Sequence, residues 1–68
     1  MFLNLEFEMK RKGYTTEKLA KLLNKSRKAI TNRLSGKVEF DRFEMFQIRN
    51  LLFPDKTIDY LFEINNTI

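Results

Sequence analysis

The cations of this chain are concentrated in one continuous stretch, residues 10–37. This stretch carries ten Lys or Arg residues and a single acid, Glu17, whereas the whole 68-residue chain has a net charge of only +4. A block whose own net charge is +9 attracts polyanions and displaces the counterions that they hold. We therefore expect a polyanionic partner, with a merely well-solvated charged face as the alternative.

The basic stretch has the sequence signals of two short helices joined by a tight turn, within residues 15–37. Thr15 and Ser26 are each suited to cap a helix N-terminus, and apolar residues follow each of them at one-turn spacing. Asn24 tolerates a left-handed backbone between the helices, and Gly36 is suited to end the second one. A turn of only a few residues requires the helices to cross steeply. This layout allows a small protein to place one helix in the DNA major groove, which is just wide enough to admit it.

Three further helices are expected, one before this pair and two after it. The first segment is ambiguous because residues 3–10 alternate apolar and polar side chains, which is the period of a strand. Its end signals favour a helix, with Asn4 as the N-cap and Gly13 after the last turn. Asp41 and Glu44 form a capping box for the fourth helix, and Thr57 caps a short fifth one. The sequence predicts an all-α, compact bundle of five short helices in a single domain over residues 1–68.

The composition argues against catalytic and metal-binding chemistry. The chain contains no Cys, no His and two Gly residues, so the commonest metal ligands, the commonest general base and a glycine-rich phosphate loop are all missing. We therefore expect no enzyme, no metal, no cofactor and no small-molecule ligand. No apolar run approaches the roughly 20 residues of a membrane span, and acids interrupt the apolar N-terminal stretch, unlike a signal peptide. The lack of cysteine fits a reducing compartment, so we expect a cytoplasmic location and no membrane partner.

The helix pair and the end of the chain resemble the lambda repressor/Cro-like family of helix-turn-helix proteins, also called the XRE family. The resemblance extends over residues 3–62, and the residues that carry it are Leu19, Ala20, Ser26, Arg27, Ile30, the LSGK of 34–37 and the TIDYLFE of 57–63. LSGK with Phe40 soon after it is similar to short, single-domain, phage-encoded members. The chain departs from the family pattern at Glu8, Thr16, Asn24 and Lys25.

The resemblance implies that the outward side of the third helix meets base edges in double-stranded DNA. The implied residues are Arg27, Lys28 and Asn32, with Thr31 peripheral. Arg and Lys donate to guanine O6 and N7, and Asn pairs with the edge of adenine. Lys28 and Asn32 are four residues apart and therefore share a face of the helix. The alternative is a solvated helix surface on which Thr31 and Asn32 make local hydrogen bonds.

Contacts to the DNA backbone are expected around the same two helices. The candidates are hydroxyl-bearing or basic residues, namely Thr15, Thr16, Lys18, Lys21, Ser26, Ser35 and Lys37. The start of the second helix offers amide groups and a dipole for a phosphate, although Thr15 is equally an ordinary N-cap and Gly36 an ordinary helix stop. Arg33 has two open roles, a phosphate contact or an ion pair with an acid such as Glu39.

Relatives of this kind bind as two-fold dimers on half-sites about one helical turn apart, which implies a homodimer on an inverted-repeat operator. The candidate dimer surface is the apolar C-terminal end, residues 52–68. Its candidate residues are Phe53, Ile58, Tyr60, Leu61 and Ile64. The alternative is that most of these side chains close the core, with Tyr60 and Ile64 the better candidates for exposure.

The expected function is that of a sequence-specific, double-stranded-DNA-binding transcriptional regulator of the Cro or repressor type. The resemblance further implies that it is encoded by a phage or prophage and acts by occupying an operator. The alternative is a protein-interaction module on the same scaffold, such as an antitoxin or a phage inhibitor of a host protein, because a fold does not fix a function. In that case the basic stretch serves an acidic protein surface.

Overall fold

Five α-helices form the backbone of the computed structural model, which describes residues 1–64. They are α1 (Leu3–Lys12), α2 (Thr16–Leu23), α3 (Arg27–Leu34), α4 (Arg42–Leu52) and α5 (Ile58–Leu61). These residues contain no β-strand, and the Cα radius of gyration of 11.0 Å equals the value of about 11 Å expected for a compact chain of this length. The prediction of an all-α, compact bundle of five helices is confirmed. Across the same residues, no helix is long and apolar enough to cross a membrane.

Side-chain capping explains where four of the five helices begin. The hydroxyl oxygens of Thr15, Ser26 and Thr57 each accept a hydrogen bond from the backbone N–H three residues later, at 3.1–3.2 Å. Asp41 and Glu44 form the predicted reciprocal capping box, with hydrogen bonds of 2.8 and 2.9 Å. Each cap satisfies a backbone donor that the helix itself leaves without a partner.

The ends of α1 and α2 follow the prediction, but the start of α1 does not. Gly13 and Asn24 adopt the predicted left-handed backbone, with φ of 75° and 57°. The helix begins at Leu3, so Asn4 lies inside its first turn, and the prediction that Asn4 caps it is wrong. The Asn4 amide instead donates to the carbonyl of Tyr60 at 2.8 Å, because the fold brings that acceptor from α5 within reach.

Every helix contributes one wholly buried side chain to a single core. These side chains are Leu5, Leu19, Ile30, Ile48 and Leu61, joined by Phe53 just after α4. The helix α2 packs against α3 and α4, while α5 packs against α1 and α4. A chain of this size buries only about 60% of its unfolded surface, so its stability margin is small and each of these side chains matters.

Three aromatic rings close the bundle at its chain ends. Phe2, Phe40 and Phe62 meet edge to face, with ring centroids 5.2–6.0 Å apart. This is the geometry that aromatic quadrupoles favour. The three contacts hold the N-terminus and the segment after α5 against the loop between α3 and α4.

A buried carboxylate joins α1 to α5. Glu8 is 2% exposed, and its Oε1 accepts a hydrogen bond from the Arg11 guanidinium at 2.8 Å, while its Oε2 accepts one from the Tyr60 hydroxyl at 2.9 Å. The Lys56 ammonium lies 3.9 Å from the same Oε2. The hydrogen bond from Arg11 outweighs burial and, with that from Tyr60, holds the pKa of Glu8 below its ordinary value. A satisfied charge therefore occupies this place in α1, where the family pattern often has an apolar residue.

We expect this carboxylate to make the fold sensitive to acid. Because folding lowers the pKa of Glu8 below 4.5, the unfolded chain takes up the proton first. The stabilisation is therefore fully present above pH 4.5 and is lost as the pH falls through the lower pKa of the folded state. Urea unfolding should show a lower midpoint at pH 3 than at pH 7. In Glu8→Gln the pH 7 midpoint should fall and the difference between the two midpoints should shrink; an unchanged difference would contradict this role.

Candidate nucleic-acid interface

One side of α3 carries the four residues expected to read bases. Arg27, Lys28 and Thr31 are exposed, and Asn32 is half-buried. Arg27 and Thr31 are four residues apart, as are Lys28 and Asn32, so the four side chains form two adjacent rows. The wholly buried Ile30 lies on the other side of the helix from Lys28 and Asn32. The structure therefore brings all four together on one outward surface, with Asn32 the least accessible.

The turn that presents α3 spans residues 24–26 and is closed by backbone hydrogen bonds. The Lys25 N–H donates to the Ala20 carbonyl at 2.9 Å, and the Asn24 N–H donates to the Lys21 carbonyl at 3.3 Å. The exposed Ser26 hydroxyl accepts the capping bond from α3 and can still donate its own proton outward. Ser26 can thus both cap α3 and contact a phosphate of the DNA backbone.

At the start of α2, two of the residues expected to contact phosphate lie beside Arg27, the first residue of α3. The exposed Thr15 and the half-buried Thr16 share a recess of about 350 Å³ with Glu17 and Arg27. The carboxylate of Glu17 lies 3.7 Å from the Arg27 guanidinium, a pairing that the sequence analysis did not predict. The recess therefore combines amide groups at a helix start with both signs of side-chain charge.

The remaining basic and hydroxyl candidates lie along α2 and after α3. Lys18 and Lys21 are exposed on α2, and the Lys18 ammonium lies 5.7 Å from the centroid of the Tyr14 ring. The Ser35 hydroxyl donates to the Asn32 carbonyl at 3.1 Å, so its proton is used locally. The Lys37 side chain is exposed. The cations at these places are accessible to a ligand, whereas Ser35 can offer only its acceptor lone pairs.

Arg33 points into the protein, which answers the question left open by the sequence. Its Nε donates to Oε1 of Glu44 and its Nη1 donates to the Ala29 carbonyl, both at 3.0 Å. The side chain is only 16% exposed. The expectation of an ion pair with an acid is therefore confirmed, with Glu44 in place of Glu39 as the partner.

The Glu44 carboxylate connects α4 to both ends of the α3 region. It is 3% exposed, and its Oε1 also accepts the Asp41 N–H at 2.9 Å, while the Lys25 ammonium lies 3.4 Å from its Oε2. Burial raises the pKa of Glu44, but the hydrogen bonds from Asp41 and Arg33 together have the larger, opposite effect. The pKa is therefore below its ordinary value, and the group is charged at neutral pH. The cap is recognisable from the sequence, but the ion pairs are not, because their partners lie on different elements at no diagnostic spacing.

The C-terminal end is exposed at Tyr60 and Ile64, as expected, but not at all five of the candidate dimer residues. Phe53 and Leu61 are wholly buried, so the prediction that they line a dimer surface is wrong; they complete the core instead. Ile58 is half-buried, and the exposed Tyr60 uses its hydroxyl in the α1–α5 contact. Ile64 is 54% exposed and stays available.

Large apolar side chains are also exposed on α4. Phe43 is 69% exposed, and Phe46 and Leu51 are exposed as well, whereas Ile48 and Leu52 face the core. The helix is therefore apolar on both its inner and outer sides, and within residues 1–64 the outer side chains stay exposed. Residues 65–68, the last part of the expected dimer surface, lie outside the described residues.

Comparisons with protein-family models, curated proteins and solved structures found no match to this chain. Membership of the lambda repressor/Cro-like family therefore stays a prediction from the sequence. Among residues 1–64, no group of acidic, His or Cys side chains could hold a metal ion. The geometry around α2 and α3 is thus the basis on which a function can be argued.

We expect Glu44→Gln to lower the free energy of unfolding by about 2–4 kcal/mol, because it leaves the buried Arg33 guanidinium without a counter-charge. Urea unfolding at pH 7 measures the change. Glu39→Gln is the matched control, since the same replacement at this exposed loop position should change stability by less than about 0.5 kcal/mol. Equal stabilities of the two variants would contradict the role assigned to Glu44.

Proposed function

We propose that this protein is a sequence-specific, double-stranded-DNA-binding transcriptional regulator of the Cro or repressor type. The observation that carries the proposal is the outward surface of α3, where Arg27, Lys28 and Thr31 are exposed and Asn32 is half-buried beside them. A three-residue turn separates this helix from α2. The proposal includes a lambda repressor-like helix-turn-helix domain, a phage or prophage origin, action by operator occupancy, and a cytoplasmic location.

The chemistry of the α3 surface suits base reading. A guanidinium offers two parallel donors to guanine O6 and N7, an ammonium donates to the same acceptors, and a carboxamide pairs with both groups on the adenine edge. Arg27, Lys28 and Asn32 supply these three groups on neighbouring rows. The exposed Lys18, Lys21 and Lys37 supply attraction to phosphates that does not depend on sequence.

Self-association on an inverted repeat is part of the proposal. One helix of eight residues covers only a few base pairs, and a two-fold dimer doubles the reading surface. With Phe53 and Leu61 in the core, other exposed apolar side chains must support contact between two copies. The described residues that offer such surface include Ile64, Leu3 and Phe7 on α1, and Phe43, Phe46 and Leu51 on α4.

A protein-interaction module, such as an antitoxin or a phage inhibitor of a host protein, is the second candidate. The exposed Phe43 and Phe46, three residues apart on α4, favour it, because neighbouring large apolar side chains on a surface mark contact sites. This candidate predicts tight binding to a protein and no sequence preference in DNA. DNA affinity measured on different sequences therefore distinguishes the two functions.

We expect Arg27→Ala and Lys37→Ala to weaken DNA binding in different ways. On a duplex enriched from random sequences, Arg27→Ala should cost about 1–3 kcal/mol and relax the preference at one base pair. Lys37→Ala should weaken binding to the enriched duplex and to a scrambled duplex alike. The slope of log K against log salt concentration should become shallower by about one. Fluorescence anisotropy titrations at several salt concentrations measure both effects.

Each variant serves as the control for the other, since each removes one exposed cation from the same surface. Equal losses on enriched and scrambled duplexes for Arg27→Ala would remove it from base reading. A loss confined to the enriched duplex for Lys37→Ala would remove it from backbone binding.

A further inference from the structure

The only acid in the basic stretch lies against the first residue of α3. Residues 10–37 contain one acid, Glu17, and its Oε1 is 3.7 Å from Nη1 of Arg27, with both side chains exposed. Glu17 also lies in the first turn of α2, where a negative charge complements the helix dipole. That role explains an acid at the start of α2, but it does not explain why the acid lies against Arg27, one of the residues expected to read bases.

We propose that Glu17 is a specificity-determining residue that makes Arg27 discriminate between guanine and phosphate. The inference rests on the proposed function, since it assigns a role to Glu17 within the same surface. Its basis is the juxtaposition of the two side chains at the recess that also contains Thr15 and Thr16.

On the preferred sequence, the Glu17–Arg27 pair is retained. A guanidinium carries five N–H donors in a planar fork, so one edge can meet guanine O6 and N7 while another stays against a carboxylate. Guanine and the Glu17 carboxylate then occupy different edges of the Arg27 guanidinium. Base reading therefore requires no loss of the ion pair, and the carboxylate restrains the guanidinium before DNA arrives.

On any other sequence, the pair is broken at a cost. Without guanine acceptors, the Arg27 guanidinium turns towards a phosphate, and the Glu17 carboxylate remains without its cation next to the anionic DNA backbone. The carboxylate and the phosphates repel each other, and this repulsion weakens non-specific complexes selectively. Glu17 thus increases the ratio of specific to non-specific affinity by opposing the wrong complex.

The test compares Glu17→Gln, which removes the charge and keeps the size, with the natural chain. Affinities are measured by anisotropy for an enriched duplex and a scrambled duplex of equal length at one salt concentration. Non-specific binding should tighten about three- to fivefold, the upper part of the range for an exposed ion pair, while binding to the enriched duplex should change by less than about twofold. Circular dichroism should show the same helix content in both proteins.

Two controls separate coupling through Arg27 from a general gain in positive charge. Asp59→Asn removes one exposed charge from α5, which packs against α1 and α4, and should leave the affinity ratio unchanged. In an Arg27→Ala background, Glu17→Gln should also leave the ratio unchanged, because its partner is gone. An unchanged ratio in Glu17→Gln, the same change in Asp59→Asn, or the same change without Arg27 would overturn the inference and leave the proposed function standing. A natural chain that enriches no sequence overturns the proposed function and this inference with it.

Discussion

The orientation of α3 depends on one buried carboxylate, that of Glu44. It caps α4 through the Asp41 N–H, holds Arg33 near the end of α3, and pairs with Lys25 in the turn before it. Ile30 is the only buried apolar side chain of α3, with Leu34 partly buried beside the core, whereas α1, α2 and α4 each bury two or three, so apolar packing determines the rotation of α3 less strongly. The ion pairs at both ends of the helix fix that rotation and thereby fix which side chains face outward.

The buried acids also decide which cations are available to a ligand. Glu44 pairs with Arg33 and Lys25, and Glu8 pairs with Arg11, so part of the basic stretch is engaged in holding the fold together. The charge counted along residues 10–37 therefore overstates the charge presented on the α3 side. The cations left free of these buried acids are concentrated on α2, at the outward surface of α3 and just after it, which gives that surface its electrostatic character.

Local signals in the sequence predicted the elements well, and long-range contacts decided the rest. The caps at Thr15 and Ser26 depend on residues three positions away, so they can be recognised without a fold. Asn4 is a residue type that often caps helices, but its amide donates to a carbonyl on α5. Arg33 on α3 pairs with Glu44 on α4. The burial of Leu61 likewise depends on how α5 packs against α1 and α4, which no periodicity of so short a helix reveals.

The most direct test of base reading by α3 is selection from random duplex DNA with the natural chain and with Arg27→Ala/Lys28→Ala/Asn32→Ala in parallel. The account predicts that the natural chain enriches an inverted repeat whose half-sites lie about one helical turn apart, and that the triple variant enriches none. No enriched sequence, or the same weak enrichment by both proteins, would contradict it. The basic surface would then act through charge alone, and the outward side of α4 would become the place to look for a protein partner.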